Sequence, residues 1–195
     1  MIAGAVLAGG RSLRFGKNKA FQQLRGKRLV DLAIESLRPF CNPVMAVVSA
    51  IGPYMDTGVM LAQDIILHQG PLGGFYTALL FSPVEWVFVK ATDMPFLVPE
   101  LACLIIDAKE GFDAVVPKVN EYYEPLLAMY NRRCLPAIAR QLGEPDKRQV
   151  TGFYRKIRIR AVTEREWRKV DPEALSFKNV NIPSDLAEID GLERS

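Results

Sequence analysis

The chain has 195 residues, of which 49% are hydrophobic and 24% charged, and its formal net charge at pH 7 is +3. This length suits one domain, and the ordinary composition excludes a disordered or collagen-like chain. The sequence has no apolar run of the roughly 18 residues that a membrane helix needs, and no charged leader precedes its apolar opening. We therefore expect a cytoplasmic protein without a membrane span, whose mild positive charge suits a small anionic ligand better than nucleic acid.

The first part of the chain alternates short apolar runs, typical of buried strands, with segments of helical periodicity. The predicted strands are 3–8, 43–49, 58–62, 85–91 and 112–117, and the predicted helices between them are 29–40, 71–81 and 99–108. Regular alternation of strands and helices predicts an α/β protein with a parallel sheet.

The remaining third of the chain is less regular. The predicted elements are a strand at 124–130, a helix at 135–142, a half-exposed strand at 157–162, a short strand at 177–182 and a final helix at 183–189. The sequence contains no internal repeat and no low-complexity linker. Residues 1–195 are therefore predicted to form a single domain.

The loop after the first strand combines glycines with cations. Its sequence, LAGGRSLRFGKNK, places Gly9 and Gly10 directly after the strand, and four cations follow, at positions 11, 14, 17 and 19. Glycines let backbone N–H groups approach a phosphate closely, and cations add charge-assisted hydrogen bonds. The spacing excludes both the dinucleotide fingerprint and the Walker A loop. The residues alone leave open a polyphosphate cradle or a surface loop with scattered cations.

One carboxylate follows a strongly apolar strand. Asp93 comes just after the strand at 85–91, so it should lie at the carboxyl end of the sheet, where ligands of parallel sheets bind. Magnesium takes oxygen ligands, often one or two carboxylates together with phosphates and waters. The alternative role for Asp93 is to cap the helix that follows.

Histidine and cysteine suggest no further chemistry. His68 is the only histidine, so we expect no histidine-based triad and no multi-histidine metal site. The three cysteines are far apart and odd in number, which excludes a disulfide framework and a paired-cysteine metal site. Cys41, Cys103 and Cys134 are expected to be buried as small apolar residues.

Beyond these arguments, LAGGRSLRFGKNKA resembles the nucleotidyltransferase signature LAGGxSxRxGxxK. Four further segments extend the resemblance in order along nearly the whole chain, and they resemble the molybdenum cofactor guanylyltransferases of the MobA family: QDIILHQGPLGGF, KATDMPFL, EPLLAMY and KNVNIPSDLAEI. That family transfers GMP from GTP to molybdopterin, using magnesium, and releases pyrophosphate. The resemblance implies a three-layer α/β/α Rossmann-like nucleotidyltransferase domain with a mainly parallel sheet, in which residues 1–117 bind the nucleotide and residues 118–195 the acceptor.

The resemblance also implies roles for individual residues. The catalytic residues would be Arg14, Lys19 and Asp93, and Asp93 would also hold Mg²⁺. The nucleotide would contact Leu7, Ala8, Gly9, Gly10, Lys19, Ser49, Asp64, Gly73 and Asp93. The acceptor would contact Arg148, Asn179 and Asn181, with the two asparagines expected on one face of a strand. Ser49 departs from the family, which often has asparagine there, and this departure puts the contact with the base in doubt.

Several alternatives stay open at this point. The loop motif does not distinguish GTP from CTP, so a cytidylyltransferase acting on the same pterin, or a transferase acting on another small phosphate, fits equally. A catalytically silent nucleotide-binding protein is a second class, against which the intact Lys19 and Asp93 argue. The sequence pI near 8.8 suggests nucleic acid, but the aromatic residues do not interleave with the basic loop. The expected partners are GTP, molybdopterin and proteins of molybdenum cofactor biosynthesis or molybdoenzyme maturation.

Overall fold

The computed structural model describes residues 1–9, 18–66, 70–144 and 149–180. Four of the predicted site residues lie outside these ranges: Gly10, Arg14, Arg148 and Asn181. His68 and the predicted helix at 183–189 also lie outside them.

Strands and helices alternate along most of the chain, as the apolar pattern predicts. The described strands are β1 (Ile2–Leu7), β2 (Gln23–Leu24), β3 (Lys27–Arg28), β4 (Val44–Val48), β5 (Met60–Gln63), β6 (Trp86–Ala91), β7 (Ala114–Val119), β8 (Tyr122–Tyr123), β9 (Leu127–Asn131) and β10 (Ile159–Val162). The described α-helices are α1 (Leu29–Leu37), α2 (Pro71–Phe81), α3 (Pro99–Asp107), α4 (Leu135–Leu142) and α5 (Glu164–Trp167). Helices α2 and α3 begin at a proline, which suits the first helical position because that residue's N–H has no intrahelical acceptor.

One large sheet carries most of the strands. Its order is β10–β7–β9–β6–β1–β4–β5, with β8 paired to β7, while β2 and β3 form a separate hairpin. Strand β1 runs parallel to both β4 and β6, whereas β9 runs antiparallel to β6 and β7. The sheet is therefore mainly parallel, as predicted, with β9 reversed near its middle.

Helices cover both faces of this sheet. Along β1, Ala5 packs on the side of α2 and α4, while Val6 packs on the side of α1, α3 and α5, because successive strand residues point to opposite faces. Strands buried on both faces explain the continuous apolar runs of β4 and β6. The arrangement confirms the predicted three-layer α/β/α fold.

Two expectations are wrong. The strand predicted at 177–182 is absent as far as the structure describes it, since Leu175–Phe177 form a 3₁₀ turn and residues 178–180 join no ladder. The carboxylate of Asp171 accepts the backbone N–H groups of Leu175 (2.8 Å) and Ser176 (2.9 Å), which fixes a turn in place of an extended chain. In addition, Cys103 is exposed on α3, whereas Cys41 and Cys134 are buried as expected. Burial raises the pKa of each buried thiol to about 12.

In the part of the chain that the structure describes, no helix is long and apolar enough to span a membrane.

Candidate active site

The predicted site residues that the structure describes lie at the edge of the sheet where the parallel strands end. Leu7 lies beside Ala91 in the ladder between β1 and β6, so Gly9 and Asp93 follow neighbouring strands. Ser49 follows β4 on the other side of β1. Because β9 is antiparallel, its beginning lies at this same edge, and the N–H of Ala91 donates to the carbonyl of Leu126 just before β9 (2.8 Å).

The centre of this edge is an ion pair. The ammonium nitrogen of Lys19 lies 2.9 Å from Oδ2 of Asp93, and the side chains are 17% and 31% exposed. Two residues that the resemblance assigns to the catalytic centre are thus in direct contact and partly exposed. A cation beside a partly exposed carboxylate can neutralise phosphate oxygens while the carboxylate takes a metal.

A hydrogen-bond relay positions Lys19. Asn18 accepts the N–H of Ala20 through Oδ1 (3.1 Å), which caps the short 3₁₀ helix Lys19–Phe21. The Nδ2 of Asn18 donates to the hydroxyl of Tyr54 (2.8 Å), and that hydroxyl donates to the carbonyl of Ala8 (2.9 Å). Tyr54 is buried, and burial raises its pKa. The relay ties the residue before Lys19 to the end of β1.

The end of β1 is strongly held by the fold. The carbonyl of Leu7 accepts the hydroxyl of Thr92 (2.7 Å), and the N–H of Ala8 donates to the carbonyl of Val47 (2.9 Å). These backbone groups, which the resemblance assigns to the nucleotide, thus already have partners within the protein. Gly9 follows directly, and a Cβ built on it would lie 3.3 Å from the nitrogen of Ser49. Two residues assigned to the nucleotide are therefore neighbours.

The loop that carries Asp93 is fixed from two sides. The N–H of Val180 donates to the carbonyl of Asp93 (2.8 Å), so the chain near the C-terminal segment crosses this loop. From inside the core, the side-chain nitrogen of Lys90 donates to the carbonyl of Pro95 (3.2 Å) and also to the hydroxyl of Ser36. Lys90 is fully buried, and burial lowers its pKa well below the ordinary value.

Asp64 and Gly73 also come together, at the beginning of α2. Oδ1 of Asp64 accepts the N–H of Ile66 (3.0 Å) and the hydroxyl of Thr77 (3.1 Å). A Cβ on Gly73 would lie 2.5 Å from the carbonyl oxygen of Ile66 and 3.2 Å from both carboxylate oxygens of Asp64. Glycine is thus needed here for close approach, and Asp64 fastens the loop after β5 to α2.

Asn179 lies near the centre although it is not in a strand. It is exposed, and the next residue, Val180, is buried in a small cluster with Leu24 and Leu29 while its N–H binds the Asp93 carbonyl. The structure therefore brings Asn179 to the edge of the candidate site. Asn181, its predicted partner, lies outside the described residues.

Three relevant residues escape the sequence analysis. Tyr54 and Lys90 support the site from the core; Tyr54 belongs to no motif, and Lys90 begins the KATDMPFL segment without a role assigned to it. Glu124 stands three residues before β9, where burial, and to a smaller extent the charge of Asp93, raises its pKa. The sequence signal for Glu124 is its position as the first residue of the EPLLAMY segment, directly before Pro125 and the apolar run that follows.

The side chains at this edge fit a magnesium ion bound mainly by phosphate oxygens and water better than a metal ion coordinated entirely by protein. Over the described ranges, no group of three or more histidine, cysteine, aspartate or glutamate side chains is arranged to hold a metal. Magnesium needs only one or two carboxylates when phosphates and waters complete its shell. Asp93, partly exposed beside Lys19, provides such a carboxylate.

Comparison with known proteins points to one family. Residues 4–159 match the MobA-like NTP transferase domain. A molybdenum cofactor guanylyltransferase of Desulfosudis oleivorans is 36% identical over 187 residues, which cover 95% of this chain and 92% of the relative. A "Probable molybdenum cofactor guanylyltransferase" of Pelotomaculum thermopropionicum is 33% identical, over 95% of this chain and 90% of the relative.

A solved structure agrees with the family match and the two relatives. The molybdopterin-guanine dinucleotide biosynthesis protein A of Archaeoglobus fulgidus superposes with a TM-score of 0.82 at 28% identity, and the alignment covers 98% of each chain. The family match, the full-length relatives and this shared fold leave one conclusion. The chain belongs to the MobA-like NTP transferase domain family, among the molybdenum cofactor guanylyltransferases.

Proposed function

We propose that the protein transfers the GMP unit of GTP to molybdopterin, in a magnesium-dependent reaction that releases pyrophosphate. The observation that carries the proposal is the contact of Lys19 with Asp93 at the carboxyl edge of the sheet, in a chain of this family. We further propose that it works in the cytoplasm with other proteins of molybdenum cofactor biosynthesis or molybdoenzyme maturation.

The reaction needs positioning and charge neutralisation, not a protein nucleophile. The acceptor phosphate is already an anion, and one of its oxygens attacks the α-phosphorus of GTP. A bond forms between that oxygen and the α-phosphorus while the bond from the α-phosphorus to the bridging oxygen breaks, and pyrophosphate leaves. An enzyme accelerates such a step by aligning two anions and stabilising the charge that develops.

Each residue has a part in this scheme. The ammonium group of Lys19 neutralises charge on the triphosphate, and Arg14 has the same role by its place in the sequence motif. Asp93 would hold magnesium, which supplies further neutralisation at the phosphates when it is bound. Gly9, Ser49, Asp64 and Gly73 would form the nucleotide side of the site, since they surround the ends of β1, β4 and β5. Asn179 would face the acceptor, beside the Asp93 loop.

The decisive experiment measures pyrophosphate release with magnesium and molybdopterin, using GTP, CTP and ATP in parallel. We expect release with GTP alone, and loss of that release in Asp93→Ala with the fold intact. Release with CTP and not with GTP would mean that the protein is a cytidylyltransferase that acts on the same pterin. Absence of release with every nucleotide, from folded protein and active acceptor, would reject the transferase function and leave a nucleotide-binding protein.

A further inference from the structure

Glu124 is a carboxylate at the active edge to which neither the sequence motif nor the reaction scheme assigns a role. We propose that the carboxylate of Glu124 binds the ring of the acceptor, by accepting the paired N–H donors that a pterin carries at its amino-pyrimidinone edge. This inference rests on the proposed function, because it names a contact within the acceptor half of the same site.

The strand order places Glu124 on the side of Asp93 away from the nucleotide loop. That loop follows β1, and Asp93 follows β6, the next strand of the sheet. The strand beyond β6 is β9, and Glu124 lies three residues before it, in a segment that bonds to the end of β6 through Leu126 and Ala91 (2.8 Å). An acceptor that meets the triphosphate at Asp93 would therefore extend over the beginning of β9.

Glu124 is half-buried, and among the described residues no cation forms an ion pair with it. Its Oε1 accepts the N–H of Leu126 (3.1 Å), while Oε2 has no hydrogen-bond partner among the residues that the structure describes. In the same part of the chain no lysine or arginine pairs with it, whereas Asp93 has Lys19. Burial and the neighbouring charge of Asp93 raise the pKa of Glu124, so its ionised form is disfavoured until donors reach it.

The charge of Glu124 limits the kind of group that it can meet. A carboxylate repels the acceptor phosphate and the triphosphate, so it suits only a part of the acceptor that presents hydrogen-bond donors. The pterin ring has an adjacent ring N–H and exocyclic amino group, and a carboxylate can accept both. The guanine base offers a similar donor pair, but Gly9 and Ser49, which are assigned to the nucleotide, lie on the opposite side of β6.

The conservative variant Glu124→Gln separates recognition from folding. Its amide oxygen can still accept the N–H of Leu126, so the turn before β9 keeps its hydrogen bond. Its NH₂ group replaces an acceptor with a donor and therefore opposes the N–H groups of the pterin. Glu121→Gln is the matched control, because Glu121 belongs to the same connection and its side chain is 92% exposed.

The experiment measures the dissociation constant of molybdopterin by equilibrium dialysis, together with KM for molybdopterin and for GTP in pyrophosphate release. Because hydrogen bonds to charged groups are the stronger class, we expect Glu124→Gln to weaken molybdopterin binding by about 10- to 100-fold. KM for GTP should stay within twofold, and Glu121→Gln should match the wild type in both. A melting curve of each variant checks folding.

Unchanged pterin binding in folded Glu124→Gln would overturn the inference, and so would a rise in KM confined to GTP, which would assign Glu124 to guanine. If the wild type binds molybdopterin but transfers no GMP, the proposed function fails while dialysis still tests Glu124. If the wild type does not bind molybdopterin at all, both are overturned.

Discussion

Lys19 and Asp93 form an ion pair at 2.9 Å although they are 74 residues apart in the chain. Lys19 reaches the pair from the loop after β1, and Asp93 from the loop after β6, because these strands are neighbours in the sheet. Each charge offsets the other, so a triphosphate that binds Lys19 also leaves Asp93 more available to a metal. Binding of phosphate and metal should therefore depend on one another.

This coupling predicts how variants of the pair behave. Lys19→Met and Asp93→Asn should each lower kcat by about 10²- to 10³-fold, the usual effect of removing a group that stabilises transition-state charge. The double variant should lose much less than the product of the two effects, because contacting residues are not additive. The measurement is steady-state pyrophosphate release over a range of magnesium concentrations.

The matched control for this pair is Lys27→Met, because Lys27 forms an ion pair of 2.8 Å with Glu35 at an exposed position. Loss of that surface contact should leave the rate unchanged, since exposed ion pairs contribute little. Lys19→Met with wild-type kcat would contradict the assignment of Lys19.

The close approach of the chain to Gly73, on the nucleotide side of the site, can be tested by measuring the free energy of unfolding. A Cβ at this position would lie 2.5 Å from the carbonyl oxygen of Ile66, so Gly73→Ala must displace backbone. Such overpacking costs about 1–3 kcal/mol, against a gain of about 1 kcal/mol from helix propensity. Gly73→Ala should therefore lower the free energy of unfolding by up to about 2 kcal/mol, measured by urea denaturation.

Gly74→Ala is the control for Gly73→Ala. Its added methyl group would meet only the end of the Leu7 side chain, at 3.4 Å, which is ordinary contact. This variant should be neutral, or more stable by up to about 1 kcal/mol. Equal destabilisation by the two variants would show that the close approach at Gly73 is not the cause.

Much of the fold could be predicted because its strands are buried on both faces and therefore read as unbroken apolar runs. The bounds of α2 and α4 were predicted to the residue, since a proline and a glycine mark the beginning of α2 and a polar segment follows α4. The reversal of β9 could not be read from its composition, because a buried strand has the same apolar pattern in either direction. The strand predicted at 177–182 is wrong because Asp171, which lies before that segment and outside its apolar pattern, caps a turn at Leu175 and Ser176.

The sequence predicts only those residues of the candidate site to which a motif assigns a role. Lys19 and Asp93 belong to motifs, and the strand order then brings them into contact. Tyr54 lies outside every motif, and Lys90 and Glu124 begin motif segments without a role assigned to them; their importance arises from burial and neighbours that only the folded chain supplies. Single polar residues in otherwise ordinary segments give no periodic signal, so the sequence could not single them out.

The hydroxyl of Tyr54 should matter for both stability and nucleotide binding. Tyr54→Phe removes the bond from Asn18 and the bond to the carbonyl of Ala8 and leaves both groups without this partner. Losing a buried hydrogen bond costs about 1–3 kcal/mol, and Lys19 directly follows Asn18. We expect a lower midpoint of urea unfolding and a higher KM for GTP.

Tyr122→Phe is the control for Tyr54→Phe, because Tyr122 is 80% exposed and its hydroxyl can bond to water. It should change neither the unfolding midpoint nor KM. If Tyr54→Phe destabilised the protein without any change in KM for GTP, the relay would support the fold but not the phosphate-binding lysine.

Lys90 makes stability depend on pH in a predictable direction. Burial lowers its pKa in the folded protein, whereas the unfolded chain keeps an ordinary lysine. At pH values between the lowered pKa of Lys90 in the folded protein and its ordinary value of 10.5, the unfolded state binds up to one more proton, so the free energy of unfolding should rise with pH by at most about 1.4 kcal/mol per unit. Lys90→Met should remove this slope, although it also deprives Pro95 of its hydrogen bond and shifts the absolute stability.

The slope is best measured by urea denaturation between pH 6 and 8.5. At higher pH the thiols of Cys41 and Cys134 would oppose it, because their pKa values are about 12 when folded and 9.0 in their ordinary state, so ionisation then favours the unfolded chain. Across the chosen window the wild type should gain up to about 3 kcal/mol more than Lys90→Met. Parallel curves for the two proteins would mean that Lys90 stays charged inside the core, and its hydrogen bond to the carbonyl of Pro95 would then be charge-assisted.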